Sequence, residues 1–309
     1  MRFQKACLYI CIAVVFLYAL LVAPPLDTPA GTIFHIDEGA SVDAVARDLK
    51  ERHSIQSRLV FKIAVYLFAR GGVQAGAYAL HGENTVWLVH RLGTGDSGLE
   101  SVTVTIPEGS TVRDMGVLFQ KTLGDFDSAL FARLAIDKEG YLFPDTYHFV
   151  QGTAPSVVIG AMARNYDEKI EPLLTQIASS THTEHEIITM ASLLEREARQ
   201  YETKRIVAGI LWKRITLGMP LQVDAVFGYI FDRETYSPSL DDLEVDSPYN
   251  TYKNKGLPPG PIAKPGLESI KAALNPTQTP YLYYLTGKDG KMYYARTFEQ
   301  HVANRVHLR

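Results

Sequence analysis

The stretch Thr181–Glu202, "THTEHEIITMASLLEREARQYE", predicts a helix whose apolar residues lead up to a cluster of charged residues. Thr183, followed three residues later by Glu186, forms the capping-box pattern that begins a helix. The helix predicted over residues 184–200 raises the question of whether the acids near its end are solvated or catalytic.

Glu195 is the acid that borders the apolar side of this helix. Residues three or four positions apart share a helix face. The residues on the face of Glu195 are Ile188, Ala191, Ser192, Ala198 and Arg199. Small neighbours leave room for a ligand, and partial burial raises the pKa of a carboxyl group towards general-acid use. The alternative is a surface ion pair between Glu195 and Arg199, worth about 0.3–0.5 kcal/mol, and the helix alone leaves both open. Glu197, ~200° further around the helix, is predicted on another face.

The chain after this helix predicts further local elements. A second helix is expected from about Glu202 to Leu217, with Gly218 ending it. The segment Ser247–Gly266 is a long loop rich in proline and glycine, and long ordered loops tend to carry function. The C-terminal run "YLYYLTGKDGKMYYAR" predicts a β-hairpin with its turn at Asp289–Gly290.

An internal repeat precedes the helix. "IDEGASVDAVARDL" begins at Ile36 and "IPEGSTVRDMGVLF" begins at Ile106. Each copy predicts a strand, a glycine turn, an N-cap at Ala40–Ser41 or Ser110–Thr111, and an amphipathic helix. A looser third version, "GAYALHGENTVWLVHRL", begins at Gly76. The pattern fits either a duplicated packing scaffold or a glycan-binding module similar to LysM domains, and it leaves both open.

The N-terminus carries a long apolar run. Cys7–Ala23 is 17 residues without a charge, which is the lower limit for a helix that spans a bilayer. Arg2 and Lys5 precede the run, and Asp27 is the first charge after it. The positive-inside rule therefore predicts an anchor with its N-terminus in the cytoplasm and the remaining chain outside. A cleaved signal peptide is the alternative, disfavoured because Pro24 would stand at the cleavage point without an A-x-A site before it.

Length and composition restrict the class of protein. The 309 residues predict about two folded units. Both cysteines lie in the apolar run, so the chain beyond it has no disulfide framework or thiol nucleophile. The net charge of −3, without a basic block, argues against nucleic acid as a partner. We predict an α+β protein with a cytoplasmic tail (1–6), a transmembrane anchor (7–23), a linker (24–31), a LysM-like region (32–135) and a catalytic domain (136–309).

Five motifs occur in a characteristic order. They are "EGYLFPDTY" (Glu139–Tyr147), "ASLLERE" (Ala191–Glu197), "LQVD" (Leu221–Asp224), "YNTY" with "GLPPGPI" (Tyr249–Ile262) and "PYLYY" (Pro280–Tyr284). As an ordered set they resemble the endolytic murein transglycosylases of the MltG/YceG-like family, and the resemblance covers nearly the whole chain. It implies cleavage of the β-1,4 bond between N-acetylmuramic acid and N-acetylglucosamine inside a glycan strand, leaving a 1,6-anhydro ring.

The resemblance also implies roles for individual residues. It places the catalytic glutamate at Glu195, which would protonate the glycosidic oxygen and then accept the proton of the C6 hydroxyl. That hydroxyl replaces water as the nucleophile, so one carboxylate suffices where a hydrolase needs two, and no metal or cofactor is implied. The residues predicted to bind substrate are Glu139, Tyr141, Gln222, Asp224, Tyr249, Asn250 and Tyr252.

The chain departs from the family pattern at a few positions. Val223 stands where serine or threonine is commoner, and Val226 stands where threonine is frequent. Gln300–His301 stands where a Glu-His pair is frequent.

Two other functions remain as alternatives. The first is a non-catalytic scaffold, anchored in the membrane, that binds peptidoglycan. The second is a metal-dependent hydrolase at His182 and His185, although "HTEH" matches neither common zinc-hydrolase motif. For the enzyme we predict an inner-membrane location with the catalytic domain in the periplasm, peptidoglycan strands as substrate, and peptidoglycan synthases as the partners that the family implies.

Overall fold

The computed structural model describes residues 2–28, 31–233 and 238–308, and its elements confirm an α+β protein. The helices are α1 (Arg2–Leu21), α2 (Val42–Glu51), α3 (Arg58–Phe68), α4 (Thr85–Thr94), α5 (Val112–Leu123), α6 (Ser128–Ala135), α7 (Pro155–Ile170), α8 (Leu174–Ser179), α9 (Glu184–Glu197), α10 (Tyr201–Thr216), α11 (Ala225–Ile230), α12 (Leu267–Leu274) and α13 (Phe298–Asn304). The strands are β1 (Thr32–Ile36), β2 (Gly76–Leu80), β3 (Ser101–Thr105), β4 (Thr146–Val150), β5 (Tyr283–Thr286) and β6 (Met292–Ala295). They pair as β1–β2, β3–β4 and β5–β6.

Helix α1 includes most of the apolar run near the N-terminus. Among the residues that the structure describes, no helix has both the length and the apolarity needed to cross a bilayer.

The chain folds into two compact units that interleave along the sequence. Unit 1 contains the described residues up to Val104, together with Phe119–Asp127 and His148–Val158. Unit 2 contains Thr105–Leu118, Ser128–Tyr147 and the described residues from Ile159 onward.

Unit 1 is built on the first copy of the repeat, and the predicted strand, turn and helix are confirmed there. Strand β1 pairs antiparallel with β2, with Phe34 opposite Tyr78. Gly39 turns the chain with a φ of 79°, a left-handed conformation that glycine adopts without strain. Ser41 then caps α2 by accepting a hydrogen bond from the Ala44 backbone N–H at 3.2 Å. Helices α2, α3 and α4 pack around a core that includes Phe34, Leu49, Phe61, Tyr78 and Leu88.

The second copy of the repeat has the same local geometry, and the part from Thr105 to Leu118 belongs to unit 2. Gly109 also has a φ of 79°, and Thr111 caps α5 through its hydroxyl and the Asp114 backbone N–H. The loop is fixed within unit 2 by two backbone hydrogen bonds. The Gly109 N–H donates to the Lys264 carbonyl, and the Lys264 N–H donates to the Ser110 carbonyl, both at 2.8 Å.

Helix α9 forms the centre of unit 2. The predicted capping box between Thr183 and Glu186 is confirmed. Every residue from Ile187 to Leu194 is buried, because α10, α11 and α12 pack against this helix. A helix that is apolar all round belongs in a core. The helix ends at Glu197, three residues sooner than predicted, because Ala198 is extended with φ −144° and ψ 145°.

The predicted second helix and C-terminal hairpin are also confirmed. Helix α10 ends at Thr216, and Gly218 follows with a φ of 65°. Strands β5 and β6 pair with Tyr284 opposite Tyr294, and Gly290 in the turn has a φ of 74°. Helix α13 packs against both strands.

Candidate functional site

Glu195 is nearly buried, and protein groups occupy both of its carboxylate oxygens. Oε1 accepts a hydrogen bond from the Lys204 ammonium at 2.9 Å. Oε2 accepts from the Gly266 backbone N–H at 2.9 Å and from the Ser269 hydroxyl at 2.7 Å. The side chains of Glu195 and Lys204 are only 8% and 3% exposed. Glu195 therefore caps the start of α12 and neutralises a buried lysine.

These contacts bear on two expectations about Glu195. At Ser192, one of its small neighbours, the chain that leads into α12 packs against the helix, and Ser192 accepts a hydrogen bond from the Ile262 N–H at 3.0 Å. The alternative ion pair with Arg199 is wrong, since the helix ends before that residue and Lys204 is the partner.

Glu197, the last residue of α9, lies on a cleft within unit 2. The cleft has a volume of about 530 Å³, within the usual size range of ligand sites. Its lining also includes Gln222, Asp224, Tyr252 and Tyr284. Three of the predicted substrate-binding residues are therefore brought together, and Glu197 rather than Glu195 is the glutamate beside them.

Glu197 has the electrostatic surroundings of a proton-transfer group. Burial, with the negative charge of Asp224 adding to it, raises the pKa of Glu197 from 4.5 to about 7. The Tyr284 hydroxyl donates to Glu197 Oε2 at 3.0 Å, and the Ala225 backbone N–H also donates to the carboxylate. Both hydrogen bonds lower the pKa of Glu197 and so oppose the effect of burial, but they also hold the carboxylate in position. At neutral pH such a carboxyl group is divided between its protonated and ionised forms.

The segment Leu221–Asp224 alternates between buried and exposed side chains. Leu221 and Val223 are buried, whereas Gln222 and Asp224 are exposed. Gln222 has a φ of 54°, uncommon for a residue other than glycine. Its backbone N–H donates to the Thr251 carbonyl at 3.1 Å, which holds this conformation.

The same alternation explains the departures of this chain from the family pattern. Val223 and Val226 are both fully buried in the core of unit 2. Their side chains do not line the cleft. A valine at these positions therefore leaves the polar groups of Gln222 and Asp224 unchanged.

Asp224 is joined to Tyr252 across the cleft wall. The Tyr252 hydroxyl donates to Asp224 Oδ1 at 2.5 Å, and burial followed by this hydrogen bond raises the pKa of Tyr252. Asn250 supports this arrangement from below the surface. It is fully buried, donates to the Leu243 and Val245 carbonyls, and accepts from the Tyr252 N–H at 3.0 Å. Asn250 thus has no exposed surface for a substrate and positions Tyr252 instead.

Arg214 links the segment Leu221–Asp224 to the chain that enters the C-terminal hairpin. Its guanidinium donates to the Leu282 carbonyl and to the Leu221 carbonyl, each at 2.7 Å. It also stands over the ring of Tyr283, 4.9 Å from the ring centre. Burial lowers the pKa of Arg214. Since one side chain joins Leu221 to Leu282, it helps to hold Tyr284 next to Glu197.

Glu139 is outside this cleft and has a structural environment. It forms a buried ion pair with Lys264, and its other oxygen accepts from the Val112 N–H at 3.1 Å. Burial lowers the pKa of Lys264, against the effect of Glu139. Glu139 lines a separate cavity of about 40 Å³, too small for a sugar.

Two predicted tyrosines also lie off the Glu197 cleft. The Tyr141 hydroxyl is 2.8 Å from His185 Nδ1, and the two rings are stacked. Tyr249 packs against Tyr229, with 5.0 Å between ring centres. The structure thus separates Glu195, Glu139, Tyr141 and Tyr249 from the residues that share the cleft.

The two histidines of the "HTEH" motif have other contacts. His182 stacks on Trp212 with 3.6 Å between ring centres. His185 Nε2 is 2.8 Å from the Pro259 carbonyl. Over residues 2–28, 31–233 and 238–308, no group of three or more His, Cys, Asp or Glu side chains is arranged to hold a metal ion. The geometry therefore gives the metal-hydrolase alternative no support.

Sequence reasoning missed Glu197, Tyr284, Arg214 and His301 as cleft residues. The sequence places Glu197 on a different helix face from Glu195, and the structure agrees. The sequence alone does not indicate that this face lies beside Asp224. Two of the quoted motifs contain the neighbours of Glu197: "LQVD" contains Asp224, and "PYLYY" contains Tyr284. Only the fold shows that these two segments meet at the end of α9.

An acid of raised pKa in a cleft lined by tyrosines defines an enzyme-like site of the general acid–base class. The YceG-like family model matches residues 34–307, and this chain belongs to the YceG-like family.

Individual relatives agree with this assignment. The endolytic murein transglycosylase of Bacillus subtilis is 30% identical over 316 residues, which cover 93% of this chain and 88% of the relative. The protein of the same name from Streptococcus pneumoniae D39 is 30% identical over 312 residues, 87% of this chain. The chain spans only 57% of the length of that pneumococcal relative. A crystal structure of a YceG-like protein from Listeria monocytogenes has a TM-score of 0.60 and 28% identity, covering 89% of this chain and all of that one.

Proposed function

We propose that this chain is an endolytic murein transglycosylase that cleaves glycan strands of peptidoglycan in the cleft of unit 2. The family and the names of its relatives support the reaction class. The observation that carries the assignment of the site is Glu197, whose pKa is raised to about 7 beside Asp224 in a cleft of about 530 Å³. A non-catalytic scaffold has no need for such an acid.

The proposed chemistry begins with the protonated form of Glu197. It donates its proton to the glycosidic oxygen as the bond to C1 of N-acetylmuramic acid breaks. The charge of Asp224 then favours the positive charge that develops on the sugar ring, as in other glycosidic cleavages. The C6 hydroxyl of the same residue attacks C1 and returns its proton to Glu197. The products are a 1,6-anhydromuramic acid end and a free N-acetylglucosamine hydroxyl, and no water is consumed.

Glu195 remains the acid that the motif resemblance predicts, so the two glutamates are competing assignments. The geometry favours Glu197, since Glu195 already accepts hydrogen bonds from three protein groups. If Glu197 is the acid, Glu195 supports the site by capping α12, and Asn250 supports it by positioning Tyr252.

Product analysis with matched variants tests the proposal. The wild type should release fragments one water lighter than hydrolysis products. Glu197→Gln should lower the cleavage rate about 10²–10⁴-fold, the usual contribution of general acid–base catalysis, whereas folded Glu195→Gln should cleave. Fragments with ordinary reducing ends would show that water is the nucleophile, with Asp224 as the second carboxylate. Full activity of Glu197→Gln would remove Glu197 from the mechanism.

We further propose that the enzyme acts in the cell envelope, held in the inner membrane by residues 7–23, with the catalytic part in the periplasm. The uncharged run and the charges that flank it support this topology. The resemblance to envelope enzymes supports peptidoglycan synthases as partners.

The repeat region, residues 32–135, is proposed to bind glycan strands, as LysM-like modules do. The support is the duplicated strand–turn–helix unit, whose first copy exposes Glu38 and Gly39 at its turn. Retention on purified peptidoglycan should fall when this turn is changed in the full chain, for example by Glu38→Lys. Unchanged retention would leave the repeat as a packing scaffold.

A further inference from the structure

The cleft that contains Glu197 holds a second set of charged groups that the proposed reaction does not use. Arg214, His301 and Arg305 all line it. The negative neighbour that raises the pKa of Glu197 is Asp224. The charged neighbours that act on His301 are Arg214 and Arg305, and burial together with these two arginines lowers its pKa. The cleft therefore has an acidic end at Glu197 and Asp224 and a basic end at His301 and Arg305, and Arg214 also acts on Tyr252 and Tyr284 of the acidic end.

The basic end is held in place by one aromatic ring. The Arg214 guanidinium stands 4.9 Å from the centre of the Tyr283 ring, and the His301 ring stacks on Tyr283 with 5.4 Å between centres. Arg214 is fixed further by its bonds to backbone carbonyls. Such a supported arrangement keeps its geometry without a ligand.

The polar groups of this region are not all satisfied by the protein. Nδ1 of His301 is buried and has no hydrogen-bond partner in the part of the chain that the structure describes. Arg305 is exposed, and no salt bridge between described residues includes it. Two guanidinium groups, those of Arg214 and Arg305, lie near His301. An anionic group bound at the exposed Arg305 would offset the repulsion between them.

We propose that Arg305 and His301, supported by Arg214 and Tyr283, form a subsite for a carboxylate carried by the muramic acid residue of the substrate. The inference rests on the proposed function and names the part of the substrate that this end of the cleft binds. The N-acetylhexosamine rings of the glycan are neutral, so cations are not needed to bind them. Muramic acid alone carries carboxylates, either on its peptide stem or, after removal of the stem, on its lactyl group. A guanidinium matches the planar shape of a carboxylate.

The subsite would also determine how a glycan strand is positioned along the cleft. In alternating strands, only one sugar of each pair carries the charged substituent. Binding that substituent at Arg305 would determine which sugar lies beside Glu197, and hence which of the two glycosidic linkages is cleaved. Specificity of this kind arises from charge pairing rather than from the shape of the sugar ring.

Binding can be tested separately from cleavage. The full chain carrying Glu197→Gln is titrated with four probes: the neutral tetrasaccharide of N-acetylglucosamine, a tetrasaccharide of alternating N-acetylglucosamine and N-acetylmuramic acid with free lactyl carboxylates, its peptide-bearing form, and that form with all carboxylates amidated. Each titration is repeated with Arg305→Gln, with Arg305→Lys and with His301→Ala added. Arg296→Gln is the matched control, because Arg296 is an exposed arginine outside the cleft lining.

We expect the carboxylate-bearing probes to bind about tenfold more tightly than the amidated probe, a typical value for one charge-assisted contact. Arg305→Gln should remove this difference, His301→Ala should reduce it, Arg305→Lys should keep part of it, and Arg296→Gln should keep all of it. A difference seen with the peptide-free probe assigns the lactyl carboxylate, and one seen only with the peptide-bearing probe assigns the stem. Equal binding of free and amidated probes by the parent chain, or equal weakening of all probes by Arg305→Gln, would overturn the subsite. Failure of the proposed reaction would appear only in the cleavage assay.

Discussion

Glu195 and Glu197 are separated by one residue, yet they have opposite electrostatic situations. Glu195 has a buried cation as its partner, so its charge is needed in the folded state. Glu197 is buried and also has another carboxylate as its neighbour, so its charge is disfavoured. A carboxyl group whose charge is disfavoured holds its proton near neutral pH and can donate it.

This difference predicts opposite outcomes for the two glutamine variants. Glu195→Gln removes the carboxylate that pairs with the Lys204 ammonium, which is only 3% exposed, and breaking a buried pair typically costs about 3–5 kcal/mol. The remaining amide oxygen still accepts from the start of α12. We therefore expect a clear loss in the free energy of unfolding, measured by urea denaturation, with cleavage retained by the molecules that stay folded.

The double variant Glu195→Gln/Lys204→Met is the control, because removing both charges should restore most of the lost stability. If Glu195→Gln is as stable as the wild type and inactive, the motif-based assignment of the catalytic acid is correct and the cleft assignment is wrong.

The raised pKa of Glu197 predicts how stability depends on pH. The folded state binds the proton of Glu197 more tightly than the unfolded state, because the pKa rises from 4.5 to about 7 on folding. The stabilising contribution is therefore complete below pH 4.5 and is lost as the pH rises through about 7. The shift corresponds to no more than roughly 3 kcal/mol, and the partial exposure of the side chain reduces it.

The measurement is the free energy of unfolding of the wild type and of Glu197→Gln between pH 5 and pH 8. Groups common to both proteins cancel in the difference. The wild type should lose stability relative to the variant over this range. Parallel curves would mean that Glu197 titrates near its ordinary value and is unsuited to donate a proton at neutral pH.

At the scale of elements, close backbone contact decides whether the C-terminal hairpin can reach the cleft. Gly209 in α10 faces the chain between α12 and β5: a Cβ atom there would lie 2.0 Å from the Thr277 carbonyl oxygen. The Thr277 N–H donates to the Arg205 carbonyl at 3.0 Å, so this chain is held against the helix. Glycine at position 209 thus allows the approach that leads on to Tyr284.

Gly209→Ala should therefore destabilise the protein by about 1–3 kcal/mol, the usual cost of overpacking, and lower activity by displacing Tyr284. Gly160→Ala is the matched control, since Gly160 lies inside α7 and a Cβ there meets only the Arg164 side chain at 3.4 Å. That change should leave stability unchanged or raise it by up to about 1 kcal/mol. Thermal denaturation compares the two, and equal melting temperatures would contradict the packing argument.

Local patterns were sufficient to predict several elements. The capping box at Thr183, the glycine turns of the repeat and the hairpin at Asp289–Gly290 all depend on residues close in sequence, and each is confirmed. The end of α9 and the partner of Glu195 were not predictable, because both depend on residues distant in sequence. Ser269, for example, is 74 positions from Glu195. The cleft residues were named in part, but not the acid they surround.

At the scale of the whole molecule, the two units interleave, and this affects how the glycan-binding proposal can be tested. Residues 32–135 include Thr105–Leu118, which clusters with unit 2, and lack His148–Val158, which clusters with unit 1. A fragment cut at these limits would divide both cores. Substitutions in the full chain avoid this difficulty, which is why the turn at Glu38 is the better probe.

The N-terminal run carries the proposal about where the enzyme works. Arg2 and Lys5 stand before the uncharged stretch, and Asp27 is the first charge after it. This asymmetry predicts that the N-terminus stays in the cytoplasm and that the run is retained as an anchor. We expect intact-mass analysis of the membrane fraction to find the chain with its N-terminal residues present and resistant to an alkaline carbonate wash. Inserting a protease site at residues 24–31 should release the remainder, which provides the control. A soluble mature form beginning near Pro24 would show that the run is a cleaved signal peptide.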